Sequence, residues 1–223
     1  MTGWQVGSLL LLFGLIQIGL DGKAEAQELM PWGTMTVEKL GIDGICQEEL
    51  ELLMNYVEES DKLREEQALV LNEPSSPERE SHLERLKISI SDLDNAVFPI
   101  AKRLILSGFW EAEEGRDLKL DLGVFGAVQH VFDVNVVRAS LSPLLRLVRK
   151  GLLPGDAYAT MYDRLAVTEA RKQRFGTQFE CENGRLAVYP LEDPDKVDER
   201  RKELGLMQSA TEYARPFLGR RCA

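Results

Sequence analysis

Apolar residues recur at Leu83, Leu86, Ile90, Leu93, Val97, Ile100 and Leu104 in alternating steps of three and four. That heptad-like seam predicts a long amphipathic helix. Pro99 interrupts it. A kink or a fresh helix is expected there, because proline removes one backbone donor and crowds the preceding turn. Upstream, residues 46–71 place Leu50, Leu53, Met54 and Val57 on one side, with Glu and Lys filling the other, which predicts a second helix. Asn72-Glu73-Pro74-Ser75-Ser76-Pro77 ends it. Residues 27–44 are rich in glycine and turn formers and are expected to drape over the surface.

Downstream, residues 111–116 form an acidic, glycine-containing loop. Asp121 is expected to cap a helix ending near Val131, and Asp133 to cap the next, which runs to Lys150 and stops at Gly151. Arg146, Arg149 and Lys150 suit the negative end of that helix dipole. Pro154 opens another helix with Tyr158, Met161, Tyr162 and Leu165 as its buried stripe. The β signal lies in residues 177–189, where Asn183-Gly184 is a two-residue hairpin turn. That turn sets Glu182 opposite Arg185, Cys181 opposite Leu186 and Phe179 opposite Val188. Asp193 and Pro194 begin a short helix that Gly205-Leu206 stops in a Schellman turn, and Ser209-x-x-Glu212 is a capping box for the last one. The pattern predicts one mainly α-helical domain of about six helices with a small C-terminal β-hairpin.

The first residues change the picture. Residues 6–20 are almost wholly apolar, and Ala24-Glu25-Ala26 follows, the small-x-small pattern that a signal peptidase reads. Fifteen helical residues span about 22 Å, short of a bilayer's hydrocarbon core. Residues 1–26 are therefore expected to be a signal peptide, with the mature chain starting at Gln27 in the periplasm or outside the cell. The leader has no Lys or Arg before the apolar run; an uncleaved anchor is the alternative. No second long apolar run occurs, so no membrane insertion is expected after cleavage.

The chain has 27 Lys+Arg against 37 Asp+Glu, a net charge of -10. An acidic surface repels phosphate backbones, which argues against general nucleic-acid binding. Cys46, Cys181 and Cys222 allow one disulfide and one remaining thiol in an oxidising compartment. The register turns Cys181 inward, and Cys222 ends a tail that needs tethering, so Cys181–Cys222 is the expected pair; Cys46 in place of either partner stays open.

Several short motifs carry a resemblance. They are Gln129-His130 with Asp133, Tyr162-Asp163-Arg164, Glu169 and Phe175-Gly176-Thr177-Gln178. Glu192-Asp193-Pro194, Val197-Asp198, Arg200-Arg201 and Gly205-Leu206 follow, while Asn95 and Gly108-Phe109-Trp110 mark the upstream boundary. In their order and spacing they resemble the bacterial domain-of-unknown-function family 6624. The resemblance implies a family-like helical domain over residues 92–218, after an N-terminal segment of residues 27–91 and before a tail of residues 219–223. The chain departs from the pattern at Ala170, where glycine is expected, and in the loop before Asp117. The family supplies no activity.

The same residues carry the candidate chemistry. Leu122, Phe125, Gln129 and Phe132 share a helix face, so Gln129 puts an amide where an apolar residue is expected. His130 has a carboxylate three residues on, at Asp133, in the arrangement that orients an imidazole for acid–base work. In the alternative, Asp133 only caps a helix. Asp163 and Arg164 read either as a carboxylate and guanidinium aimed into a cleft or as a helix-locking pair. Glu169, Thr177 and Gln178 are ligand-contact candidates, each with a structural alternative. Arg200-Arg201 reads as an exposed helix face beside Glu199 and Glu203, and His82 as a solvated residue. No phosphate loop, nucleophile elbow or paired-cysteine metal site is present, and no cofactor or metal is indicated.

Two readings follow. The first is a non-catalytic exported protein that binds a partner protein or small polar ligand through a polar cleft of Gln129, His130, Asp163, Arg164 and Gln178. The second is a hydrolase or lyase with His130 as acid and base, Asp133 orienting it and Arg164 holding an anion. An enzyme requires these groups convergent and partly open; a scaffold buries and pairs them.

Overall fold

The computed structural model describes residues 36–40, 44–112, 116–220 and 222. The expected signal peptide and residues 113–115 of the acidic loop lie outside the described residues. The fold is mainly helical with a small antiparallel hairpin. In chain order the helices are α1 (Val37–Leu40), α2 (Gln47–Leu71), α3 (Pro77–Leu106), α4 (Leu118–Val131), α5 (Val134–Arg149), α6 (Gly155–Thr168), α7 (Val197–Glu203) and α8 (Ala210–Ala214). The hairpin strands β1 (Phe179–Glu182) and β2 (Arg185–Val188) fall between α6 and α7. Among the described residues no helix is long and apolar enough to cross a membrane. The four-residue α1 lies in the segment expected to be irregular.

The chain divides into two compact units, residues 1–101 with 115–127 and residues 102–114 with 128–223. Two of the three boundaries fall inside α3 and α4, where no turn-rich linker marks them.

In the first unit α2 and α3 run antiparallel. Val70 of α2 packs with Leu83 and Leu86 of α3, and Leu63 covers them. Further along, Tyr56 donates to Asp94 Oδ1 at 2.6 Å, and Arg64 pairs with the same carboxylate at 2.8 Å. Burial, and then the Asp94 charge, pushes the Tyr56 phenol up. Every seam residue of α3 is buried or half-buried, and the helix continues through Pro99 without a break. The uninterrupted apolar face outweighs the one backbone hydrogen bond that proline deletes. His82 is half-exposed, and its Nε2 lies 3.0 Å from Glu66 of α2.

The start of α4 also departs from expectation. Asp117, four residues before Asp121, accepts the Leu120 amide at 2.9 Å and provides the cap. Asp121 is buried inside the first turn, where Arg116 pairs with it. Gly123 explains how closely α4 approaches α2: a Cβ there would lie 2.1 Å from the Leu53 carbonyl oxygen. The glycine costs helix propensity and permits backbone contact.

In the second unit α5 and α6 pack against each other. Gly151, at φ 72, reverses the chain after α5. The expected hairpin register is present, Phe179 opposite Val188, Cys181 opposite Leu186 and Glu182 opposite Arg185. Asn183 and Gly184 both have positive φ, 52 and 75, as a primed turn requires. Gly205 closes α7 in a Schellman turn, with Leu206 N donating to Arg201 O at 3.0 Å and Gly205 N to Lys202 O at 2.9 Å. The Ser209–Glu212 capping box is also present. Asp193 does not cap through its side chain; its carbonyl instead accepts Lys196 N and Arg200 Nη2. Cys181 and Cys222 are joined, while Cys46, the N-cap of α2, is a free and exposed thiol.

Candidate functional site

The candidate residues fall into two groups, and each serves the fold. The first surrounds Asp163, which is wholly buried on α6. Its Oδ1 accepts Arg174 N at 2.7 Å and Phe175 N at 3.0 Å, and its Oδ2 accepts Thr177 N and Thr177 Oγ1, both at 3.0 Å. The loop between α6 and β1 thus wraps its amides around one carboxylate, as backbone nests do around anions. Gly176, at φ 76, permits the wrap. Burial pushes the Asp163 carboxyl up, against the pull of the donated hydrogen bonds.

Gln178 extends the group. Its Nε2 donates to Thr177 Oγ1 at 3.2 Å, and its backbone N–H donates to Gln173 Oε1 at 2.8 Å. Gln173 returns through Nε2 to Gln178 O at 3.0 Å and to Tyr189 O at 2.6 Å, tying both ends of the hairpin. Sequence reasoning missed Gln173, because a glutamine between Lys172 and Arg174 carries no pattern that marks it as buried. It also misplaced Arg200 and Arg201, which are buried rather than an exposed face. Arg200 donates to the carbonyls of Arg174 and Asp193, and Arg201 to those of Phe175 and Gln208. A planar guanidinium with several donors satisfies loop carbonyls that have no ladder partner.

The second group lies at the end of α4. Gln129 is 1% exposed, so the amide does occupy the buried stripe, and among the described residues neither its Oε1 nor its Nε2 has a partner. Its backbone carbonyl accepts Arg164 Nη1 at 2.5 Å, and the same guanidinium lies over the Phe132 ring at 5.3 Å. Arg164 therefore caps the C-terminus of α4. Asp163 and Arg164, adjacent in sequence, serve different partners.

His130 is half-exposed in the last turn of α4. The helix does not continue to Asp133: α4 ends at Val131, and Phe132 has φ 52. Asp133 accepts Asn135 N at 2.9 Å and Val136 N at 3.2 Å as the cap of α5, and pairs with Lys102 at 2.7 Å. Lys102, then the cap amides, holds its carboxyl below the usual carboxylate range. Replacing Asp133 with alanine should cost about 1 kcal/mol in urea unfolding at neutral pH. Because the folded pKa is depressed, this contribution is present above the unfolded value of about 4 and is lost as pH falls through the folded one. The deficit should therefore shrink in acid; a deficit independent of pH would contradict the capping role.

Glu169 sits at the exposed end of α6 between Arg138 and Arg171, each at 2.6 Å, which hold its carboxyl low. Among the described residues no three His, Cys, Asp or Glu side chains group as metal ligands. Gln129, Asp163, Thr177 and Gln178 are thus brought into the interior, and His130 and Glu169 stay at the surface. Compared with known proteins, the chain matches no family model, no curated protein and no solved structure.

Proposed function

We propose that this chain is an exported, non-catalytic binding protein of the domain-of-unknown-function family 6624, acting in the periplasm or outside the cell on a partner protein or small polar ligand. The leader pattern, the motif order and the Cys181–Cys222 bond support export and the family. The observation that carries the non-catalytic reading is the use of Asp163, Thr177, Gln178 and Arg164 as mutual and backbone partners. Groups spent on the fold are not poised for a reacting substrate. Binding then belongs to the surface rather than to a cleft of these residues.

The test uses the protein purified from its native host. Its intact mass should lack residues 1–26, and a screen of sugars, cell-wall fragments and metals should raise the melting temperature without turnover. Product formation that His130→Ala abolishes would overturn the reading in favour of acid–base catalysis, and a mature form retaining Trp4 would overturn export with cleavage.

A further inference from the structure

The buried network leaves one cluster of α6 side chains unexplained. Tyr158 and Tyr162 lie one turn apart, both half-buried, with ring centroids 5.8 Å apart. Buried Phe175 meets both edge-on, at 6.0 and 5.7 Å, and fixes the pair in place. The fold brings arginines to the same region: Arg174 N bonds Asp163, the neighbour of Tyr162, and Arg149 ends α5, which packs against α6. Arg171, near the end of α6, is held by Glu169. Arg149, the last residue of α5, and Arg174, next to Phe175, are both exposed, and among the described residues neither guanidinium has a hydrogen bond or ion pair. Burial and Tyr162 push the Tyr158 phenol up, and the charges of Arg174 and Arg149 oppose that rise.

Guanidiniums without a carboxylate partner are notable in a chain of net charge -10. Nearby, Arg138 and Arg171 show what such groups take: each holds an oxygen of Glu169 at 2.6 Å. Among the described residues Arg149 and Arg174 have no such carboxylate. A guanidinium presents parallel donors that match the oxygens of a carboxylate or phosphate, and tyrosine rings give a flat apolar face beside them. We propose that Tyr158, Tyr162, Arg149 and Arg174 form a binding site for a small ring-bearing oxyanion, its carboxylate or phosphate on the arginines and its ring on the tyrosines. This rests on the binding-protein reading and names the ligand class for it.

The experiment follows the side-chain Nε–Hε resonances of arginine in the full mature chain at physiological salt. The probes are glucuronate, glucose 6-phosphate, ring-free inorganic phosphate and neutral glucose. Either acid should shift Arg149 and Arg174 saturably, and whichever binds tighter identifies the preferred oxyanion. A double variant, Arg149→Ala with Arg174→Ala, should weaken this binding at least about tenfold while the melting temperature stays unchanged. Tyr158→Ala should weaken glucuronate but not inorganic phosphate. Absence of saturation with both acids, equal shifts with glucose, or full binding by the double variant overturns the site. A neutral ligand that stabilises the protein in the melting screen would meanwhile leave the binding-protein reading standing.

Discussion

Replacing Asp163 with alanine should cost the second unit at least about 4 kcal/mol, enough to unfold a marginal domain near room temperature. The substitution removes the acceptor for three amides and one hydroxyl, donated by Arg174, Phe175 and Thr177. Each buried donor left unsatisfied costs roughly 1–3 kcal/mol, and water reaches this site poorly. The loop that Asp163 organises also presents Phe175 to Tyr158 and Tyr162, so packing is lost with the hydrogen bonds. Asp163→Asn keeps the shape but turns an N–H₂ toward two of the donors, and should lose less than alanine yet well over 1 kcal/mol. Urea unfolding followed by circular dichroism measures both. A stable Asp163→Ala protein that had lost only ligand binding would reassign this carboxylate from scaffold to site.

Reducing the Cys181–Cys222 bond should cost about 4 kcal/mol in the chain-entropy account, since its two ends are 41 residues apart. The bond secures a tail that already pairs with β2: Gly219 N donates to Leu186 O at 3.0 Å, Leu186 N to Arg220 O at 2.9 Å and Cys222 N to Gly184 O at 3.1 Å. Phe217 packs on Phe179 at 5.0 Å and covers the apolar hairpin face. Cys222→Ser should therefore lower stability and speed hydrogen exchange at the Leu186 amide, where an edge of β2 opens. In the untreated protein, alkylation should label Cys46 at once and Cys181 and Cys222 only after reduction. Labelling of all three without reductant would refute the pairing, and a Cys222→Ser protein as stable as its parent would show that the tail holds without the bond.

Local patterns that need only neighbouring residues were legible in the sequence. The Asn183-Gly184 turn sets the hairpin register by its own backbone geometry, so Cys181 falls opposite Leu186 whatever surrounds it. Asp133, Ser209 and Gly205 cap or stop helices through hydrogen bonds within a few residues, and each does so where expected. The α3 seam was legible too, but the sequence predicts a kink or fresh helix at Pro99, and the helix instead runs on, because a repeating apolar face carries more free energy than one missing hydrogen bond.

Only the tertiary structure decided what the polar residues do. Asp163 finds its partners eleven to fourteen residues on, and Arg164 reaches back thirty-five residues to Gln129. Arg200 and Arg201 turn inward to carbonyls in other segments, although their neighbours Glu199 and Glu203 make the stretch read as an exposed face. The division into two units was hidden for a related reason. Two of its boundaries cross continuous helices, where no turn residue marks them. A charged or polar side chain satisfies its hydrogen bonds with whatever the fold brings near, and residue type alone does not name that partner. Hydrophobic period and turn chemistry are properties of adjacent residues, and they fixed the elements; the pairing of buried polar groups is a property of the packed chain.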